Sequence, residues 1–279
     1  MQGDIQEFIK SALAEDIGNG DITTLSTVSS DAQGTAVFYV KESCVIAGIE
    51  LTKMICREVD PCMVCNFSVE DGSEINGYQK IGSLTGNTAS ILKAERLILN
   101  CMQRMSAIAT KTKEISVLLA PYGIQVADTR KTTPNFRICE KMAVKIGGGY
   151  NHRFGLYDAI LIKDNHIQAA GGINNAITSC EQYTKTHGLH VPVIVEVKNL
   201  EEFNIAKSHS IVDRILLDNF SPSEIQETLP HNTTQKKIEL SGGISMKNLK
   251  EYMIRGVDLI SMGDLTHHIS SIDISLKII

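Results

Sequence analysis

Ala159-Ile160-Leu161-Ile162-Lys163 is an apolar run that ends in a charged residue, and the same grammar recurs along the second half of the chain. Gln125-Val126-Ala127-Asp128 precedes it. Val193-Ile194-Val195-Glu196, Ile215-Leu216-Leu217-Asp218, Ile238-Glu239-Leu240-Ser241 and Leu259-Ile260-Ser261-Met262-Gly263 follow it, and each run leads into a helix-like stretch. Strands covered by helices on both faces are continuous apolar runs, and alternation with helices implies parallel pairing. In an open doubly wound sheet, functional groups gather at one switch point. Here every strand ends in one, which is the arrangement of an α/β barrel, where the loops after all strands ring a single site. The longest loops follow the first two strands, and long loops on that face often hold the chemistry.

The first part of the chain has another grammar. Ile5, Phe8, Ile9, Ala12 and Leu13 recur at helical spacing until Gly18-Asn19-Gly20-Asp21 stops them. Between Thr35 and Val69 the pattern predicts strands: Ala36 to Val40 is β-prone, and Met63, Cys65, Phe67 and Val69 alternate with Val64, Asn66 and Ser68. From Ser90 to about Ala120 a helical period carries Leu92, Leu99, Met102, Ile108 and Ile115 until Pro121-Tyr122-Gly123. This helix is expected to be interrupted and to bridge two domains, with the grammar switching near residue 110.

The 279 residues carry a formal net charge of −5, with 43% apolar and 21% charged residues, inside the range of globular chains. A binder held by many phosphate contacts would be basic, so nucleic acid is not an expected partner, and the aromatic content of 5% is low for base stacking. No apolar stretch reaches the ~18 residues of a membrane span. Asp4, Glu7, Glu15 and Asp16 stand where a secretory signal would be basic and then apolar, and seven scattered cysteines suit reduced thiols, so the expected location is cytoplasmic. Cys62-Met63-Val64-Cys65 lacks a second pair, and adjacent His267-His268 rarely converge on one ion, so both pairs are expected to be structural.

The average charge hides a local one. Residues 128–166 hold Arg130, Lys131, Arg137, Lys141, Lys145, Arg153 and Lys163 against Asp128, Glu140, Asp158 and Asp164, a net of +3, which leaves −8 for the rest. Arg130-Lys131 and Lys163 fall at strand ends, where function outweighs a merely solvated face. Arg137, Lys141 and Lys145 sit at helical spacing and are expected to face solvent or support the site. Gly147-Gly148-Gly149 permits close backbone approach to a ligand, or a hinge. With His152 beside Arg153, the segment suggests a pocket for a small polyanion, because guanidinium groups match carboxylates and Lys suits phosphate. Glu196 and Asp218 end the next two strands. In a cationic pocket their natural partners are Mg²⁺ or ribose hydroxyls, and an ion network with Lys131 or Lys163 is the structural alternative. Ser241-Gly242-Gly243 and Met262-Gly263 suit either phosphate-binding turns that open helices or plain tight turns.

Asp128-Thr129-Arg130-Lys131-Thr132-Thr133-Pro134, Gly147-Gly148-Gly149 with Asn151-His152-Arg153, Gly155-Leu156-Tyr157-Asp158-Ala159 and Leu161-Ile162-Lys163-Asp164-Asn165-His166 together resemble the quinolinate phosphoribosyltransferases, also called nicotinate-nucleotide pyrophosphorylases (carboxylating). The resemblance covers nearly the whole chain, including Glu95-Arg96 and Ser241-Gly242-Gly243-Ile244. It implies an N-terminal α/β sandwich domain over residues 1–110, joined by the tail 272–279, and a partly open, incomplete TIM-like α/β barrel over 111–271 that carries the active site. The implied activity transfers phosphoribosyl from 5-phosphoribosyl 1-pyrophosphate to quinolinate, with carbon dioxide and pyrophosphate leaving and nicotinate mononucleotide remaining for NAD biosynthesis. Arg130, His152 and Arg153 would hold the two carboxylates, with Thr129 beside them. A homodimer or a higher oligomer is implied, in which Arg96 reaches the partner's site. Lys131 and Lys163 would attend phosphate and pyrophosphate, Glu196 and Asp218 ribose and Mg²⁺, and the turns Ser241 to Gly243 and Met262 through Gly263 to Asp264 the 5-phosphate.

The chain departs from the family pattern at Asn135-Phe136, at Lys198, where an acid is common, and at Asp264, where a small residue is common. An acid beside a phosphate weakens binding unless its side chain points away. A related molybdenum-transport-associated family lacks the complete Lys-Asp-Asn-His run kept here, and a phosphoribosyltransferase for nicotinate would have no use for two extra cations.

Overall fold

The computed structural model describes residues 2–279, and they divide into two compact units. The first holds the chain up to Glu114 together with Lys131–Gly149 and Leu265–Ile279; the second holds Ile115–Arg130 and Tyr150–Asp264. The division differs from a single boundary near residue 110: the segment 131–149, read as part of the barrel, groups with the N-terminal residues.

In the first unit, strands β1 (Gln33–Val40), β5 (Gln79–Asn87) and β3 (Val64–Phe67) form an antiparallel sheet whose other edge is β12 (Ile274–Ile278), in the order β12-β1-β5-β3. A two-stranded pairing joins β2 (Cys44–Val45) to β4 (Glu74–Ile75). The alternation around β3 holds, with Met63 buried, Val64 exposed and Phe67 half-buried. Phe67 stacks on fully buried Phe38 with ring centroids 5.1 Å apart. Gly82 makes room for it, since a Cβ there would meet Phe67 Cδ1 at 2.6 Å.

Helix α1 (Gln2–Ile17) buries Ile5, Ile9 and Leu13, one residue per turn, and Gly18 ends it at a φ of +53°. Asp21 then caps α2 (Ile22–Thr27), its side chain accepting from Thr24 N. Between the strands lies α3 (Ile49–Val59), inside the stretch for which strands were expected. Its buried Ile49, Thr52, Ile55 and Cys56 follow a helical period.

Helix α4 (Thr88–Leu119) runs without the expected interruption, having neither Gly nor Pro along its length. Its hydroxyls receive strand-side donors: Ser106 Oγ accepts from Ala47 N at 3.0 Å and Thr110 Oγ1 from Val45 N at 2.8 Å. Helix α5 (Arg137–Ile146) also belongs to this unit, and Lys141, expected at solvent or in support of the site, is buried. The triple glycine follows α5 and serves helix packing. A Cβ on Gly147 would stand 2.7 Å from Thr112 Cβ, and one on Gly149 2.7 Å from Thr112 Cγ2 and 2.8 Å from Val144 Cγ1.

The second unit is built on a six-stranded parallel sheet of β6 (Gln125–Ala127), β7 (Ile160–Ile162), β8 (Val193–Val197), β9 (Arg214–Asp218), β10 (Lys237–Ser241) and β11 (Leu259–Ser261). The spatial order is β6-β11-β10-β9-β8-β7, and no ladder among the described residues joins β6 to β7, so the sheet does not close into a full barrel. The free side of β6 is met instead by Tyr150, which bridges Ala127. Helices α6 (Asp164–Ala169), α7 (Ile173–His187), α8 (Leu200–Ser208) and α9 (Pro222–Thr228) follow their strands. After β10 there is only a 3-10 turn at Leu249–Tyr252, and after β11 the four-residue α10 (Asp264–His267), so the turn at Ser241 to Gly243 does not open the expected helix. Because all six strands run the same way, their C-terminal residues come to one end. No described helix is long and apolar enough to cross a membrane.

Candidate active site

The end of β6 is fixed first. Asp128 is fully buried, and its Oδ1 accepts the His152 backbone N–H at 2.9 Å, tying the segment after Tyr150 to the strand. His152 turns inward. Its Nδ1 accepts the Arg153 backbone N–H at 2.7 Å, so the ring proton sits on Nε2, which faces Glu239 Oε1 at 3.3 Å. Glu239 is itself buried, bonded to Arg214 Nη1 at 2.9 Å and to the Ser261 hydroxyl. Burial works against charge on Glu239, but His152, Ser261 and Arg214 outweigh it and hold the carboxyl below its ordinary value. His152, expected to hold a substrate carboxylate, thus has both ring nitrogens committed within the protein.

Arg153 follows on a loop closed by Asp158, whose carboxylate accepts Phe154 N at 2.7 Å and Gly155 N at 2.9 Å. Partial burial and the neighbouring Arg130 charge hold the Arg153 guanidinium below its ordinary value, with Asp158 opposing them. Two arginines from separate segments therefore bear on each other, an arrangement that favours an anion between them.

Lys163 caps β7. Its Nζ lies 3.4 Å from Glu196 Oε2, and its backbone N–H is accepted by His166 Nδ1 at 3.0 Å at the start of α6. Glu196 is nearly buried at the end of β8. Desolvation is the first cause that pushes its carboxyl above the ordinary range, Asp218 at the end of β9 adds to it, and Lys163 opposes both. Two carboxylates and one ammonium thus meet at adjacent strand ends, a charge set that suits a divalent cation or a polyhydroxyl ligand. Asp218 also accepts from Asn219 Nδ2 at 2.8 Å, and Asn219 N bonds Ser241 O at 2.9 Å, bringing the turn after β10 against the end of β9. Gly242, at a φ of +102°, has no room for a side chain there, since a Cβ would stand 2.7 Å from Asn219 N. Gly243 faces open space.

Gly263 and half-buried Asp264 follow Met262, whose N–H bonds Ala127 O at 2.9 Å. Thr129 is half-buried just after Asp128. Lys131 and Arg96 belong to the first unit and are exposed there, Arg96 on α4. The second unit therefore gathers Arg130, Arg153, Lys163, Glu196, Asp218 and the two glycine turns, while Glu239 and Arg214 are buried participants not singled out from the sequence. The signal for Glu239 was its charge in the middle of an apolar strand run.

The description "Quinolinate phosphoribosyl transferase, C-terminal domain" matches residues 108–277, and its N-terminal counterpart matches residues 21–106. The chain belongs to the quinolinate phosphoribosyltransferase family. A relative from Nicotiana tabacum, named quinolinate phosphoribosyltransferase (decarboxylating) 2b, mitochondrial, is 40% identical over 99% of this chain and 82% of its own. A protein of Bacillus subtilis, named a probable nicotinate-nucleotide pyrophosphorylase (carboxylating), is 36% identical over 98% of this chain and 93% of its own. The solved nicotinate-nucleotide pyrophosphorylase from Francisella tularensis superposes with a TM-score of 0.91 at 36% identity, covering 100% of this chain and 97% of that one.

Within the quinolinate phosphoribosyltransferase family, this chain's Lys198 has a local explanation. Its Nζ lies 3.7 Å from Asp164 Oδ2, so the cation pairs across the ends of β7 and β8 on an exposed rim, where such pairs contribute little stability.

Proposed function

We propose that the protein transfers phosphoribosyl from 5-phosphoribosyl 1-pyrophosphate to the ring nitrogen of quinolinate and decarboxylates the product to nicotinate mononucleotide. The observation that carries this reading is that one unit holds two like-charged pairs, Arg130 with Arg153, and Glu196 with Asp218 at adjacent strand ends beside Lys163. The first pair suits an aromatic dicarboxylate; the second suits the sugar.

The reaction needs little acid and base chemistry. The pyridine nitrogen attacks the ribose anomeric carbon as its bond to the pyrophosphate oxygen breaks. Positive charge grows on the sugar, where Glu196 and Asp218 stabilise it, while Lys163 draws the departing pyrophosphate. The alkylated ring is cationic, so it accepts the electron pair left when the C2 carboxylate departs as carbon dioxide, and a proton then fills C2. Arg130 and Arg153 contribute by holding the ring in line with the anomeric carbon. The turns at Ser241 to Gly243 and after Met262, whose own N–H is held by Ala127 O, are assigned to the 5-phosphate through backbone N–H groups, a role for which Asp264 need not turn its carboxylate inward.

Glu196 and Asp218 fit Mg²⁺, which takes one or two carboxylates and fills its shell with water and substrate phosphates. When bound it would neutralise charge on the leaving group. The active species is proposed to be a homodimer in which exposed Arg96 completes the partner's site. Seven free cysteines support a cytoplasmic location.

The deciding assay mixes the protein, Mg²⁺, quinolinate labelled at the C2 carboxylate and 5-phosphoribosyl 1-pyrophosphate. Labelled carbon dioxide and nicotinate mononucleotide in equal amounts are expected, and turnover without carbon dioxide would sink the assignment. Arg153→Ala is expected to raise KM for quinolinate on the order of a hundredfold, the loss of a charge-assisted bidentate contact, with KM for the pyrophosphate donor within about threefold. Equal losses for both would remove Arg153 from the carboxylate site. Mixing inactive Arg96→Ala with inactive Glu196→Gln is expected to restore roughly a quarter of wild-type activity, through heterodimers with one intact site. No recovery would show that Arg96 acts within its own chain.

A further inference from the structure

Glu239 is a charged side chain with no exposure, and nothing in the proposed chemistry calls for it. It sits at the centre of β10 among Ile238 and Leu240, gripped by residues from three other segments: Arg214 of β9, Ser261 of β11 and His152. Arg214 is braced on the other side by the Tyr150 ring, 5.6 Å from its guanidinium carbon, and its Nε is a buried donor without a partner. A buried ion pair is weak evidence for stability, because apolar residues of similar volume serve as well or better. The value of this one lies in where it leads. Glu239 accepts from His152 Nε2, which leaves Nδ1 as an acceptor, and Nδ1 takes the Arg153 backbone N–H at 2.7 Å. Asp128 Oδ1 holds the next bond back along the chain, from His152 N. The peptide on either side of His152 is therefore clamped by two buried carboxylates, one directly and one through the imidazole.

We infer that Glu239, braced by Arg214 and Ser261, is a positioning residue: it fixes the tautomer and rotation of His152, which orients the Arg153 backbone and so aims its guanidinium at the substrate dicarboxylate. The inference rests on the proposed function for the identity of that anion. His152 acts through its bond to Arg153 and leaves carboxylate binding to Arg130 and Arg153.

The test compares two double variants that remove the ion pair equally. Glu239→Gln with Arg214→Met keeps an oxygen to accept from His152; Glu239→Leu with Arg214→Met does not. Calorimetric titration with quinolinate is expected to show the first within about threefold of wild type and the second weakened about tenfold, the cost of leaving a buried donor unpaired. KM for the pyrophosphate donor should stay within about twofold in both. Equal quinolinate affinity in the two double variants would overturn the relay. If the leucine variant does not fold, His152→Asn, whose carbonyl can replace Nδ1 as the acceptor, is compared with His152→Leu. Retained quinolinate affinity in the first and loss in the second supports the relay, whereas equal loss in both makes His152 a direct ligand and overturns it. Wild-type protein that binds the pyrophosphate donor but not quinolinate would refute the functional assignment itself, a result distinct from any difference among the variants.

Discussion

Replacing Glu140 with alanine is expected to destabilise the protein by about 3 kcal/mol, at the low end for breaking a buried ion pair because Arg104 is partly exposed. Glu140 has no exposure. Its Oε1 accepts from Arg104 Nε at 2.8 Å and Nη2 at 2.7 Å, and its Oε2 from Thr133 N at 3.1 Å. Arg104 Nη2 also bonds Thr133 Oγ1 at 3.1 Å and Thr266 O at 2.8 Å, and Thr266 Oγ1 bonds Lys131 O at 2.7 Å. One carboxylate therefore anchors the segment that carries Lys131 from both sides. Alanine would leave the arginine with only neutral partners and Thr133 N without this acceptor. The melting temperature should fall by roughly 6–12 °C at that energy. A fall below 2 °C would show that water replaces the carboxylate at little cost.

Glu196→Gln is expected to do the opposite to stability while abolishing most activity. Burial and the charge of Asp218 raise the Glu196 carboxyl above its ordinary value despite Lys163, so its ionised form is disfavoured by folding. A group whose folded-state value is raised in this way costs nothing below its unfolded value of about 4.5, where it is protonated in both states; the cost appears as pH rises through the folded value. Glutamine removes that cost. The ligand-free variant should melt above wild type at neutral pH, and the gain should vanish below about pH 4. The same carboxylate is assigned to the charge that develops on the sugar, so kcat/KM should fall on the order of 10²–10³-fold. A variant that melts lower than wild type at pH 7 would show that the Lys163 pair dominates, and activity within threefold would remove Glu196 from the chemistry.

How far the sequence carries can be judged residue by residue. The parallel sheet and the strand-end positions of Asp128, Lys163, Glu196 and Asp218 were legible because β strands buried on both faces leave an unbroken apolar signature and stop at a polar residue. The grouping of α5 with the first unit was not, since strand-and-helix alternation says nothing about which unit a helix packs against. The role of Gly147 and Gly149 was also hidden: close approach to a ligand and close approach to Thr112 need the same missing Cβ. His152 beside Arg153 was conspicuous in the sequence, but which way an imidazole turns depends on Glu239, which meets its partners only once three strands are side by side.

Strand β12 pairs with β1 through Val40 and Ile274, so one side of the N-terminal sheet is made from a segment that lies beyond the whole parallel sheet in sequence. The other side of β1 pairs with β5, which lies much nearer to it in sequence. Without β12, β1 is therefore a strand with one paired and one naked edge. A naked edge invites pairing with another copy of the chain. A protein cut before Ile274 is therefore expected to keep its parallel sheet and yet self-associate through β1, which light scattering of the shortened protein checks.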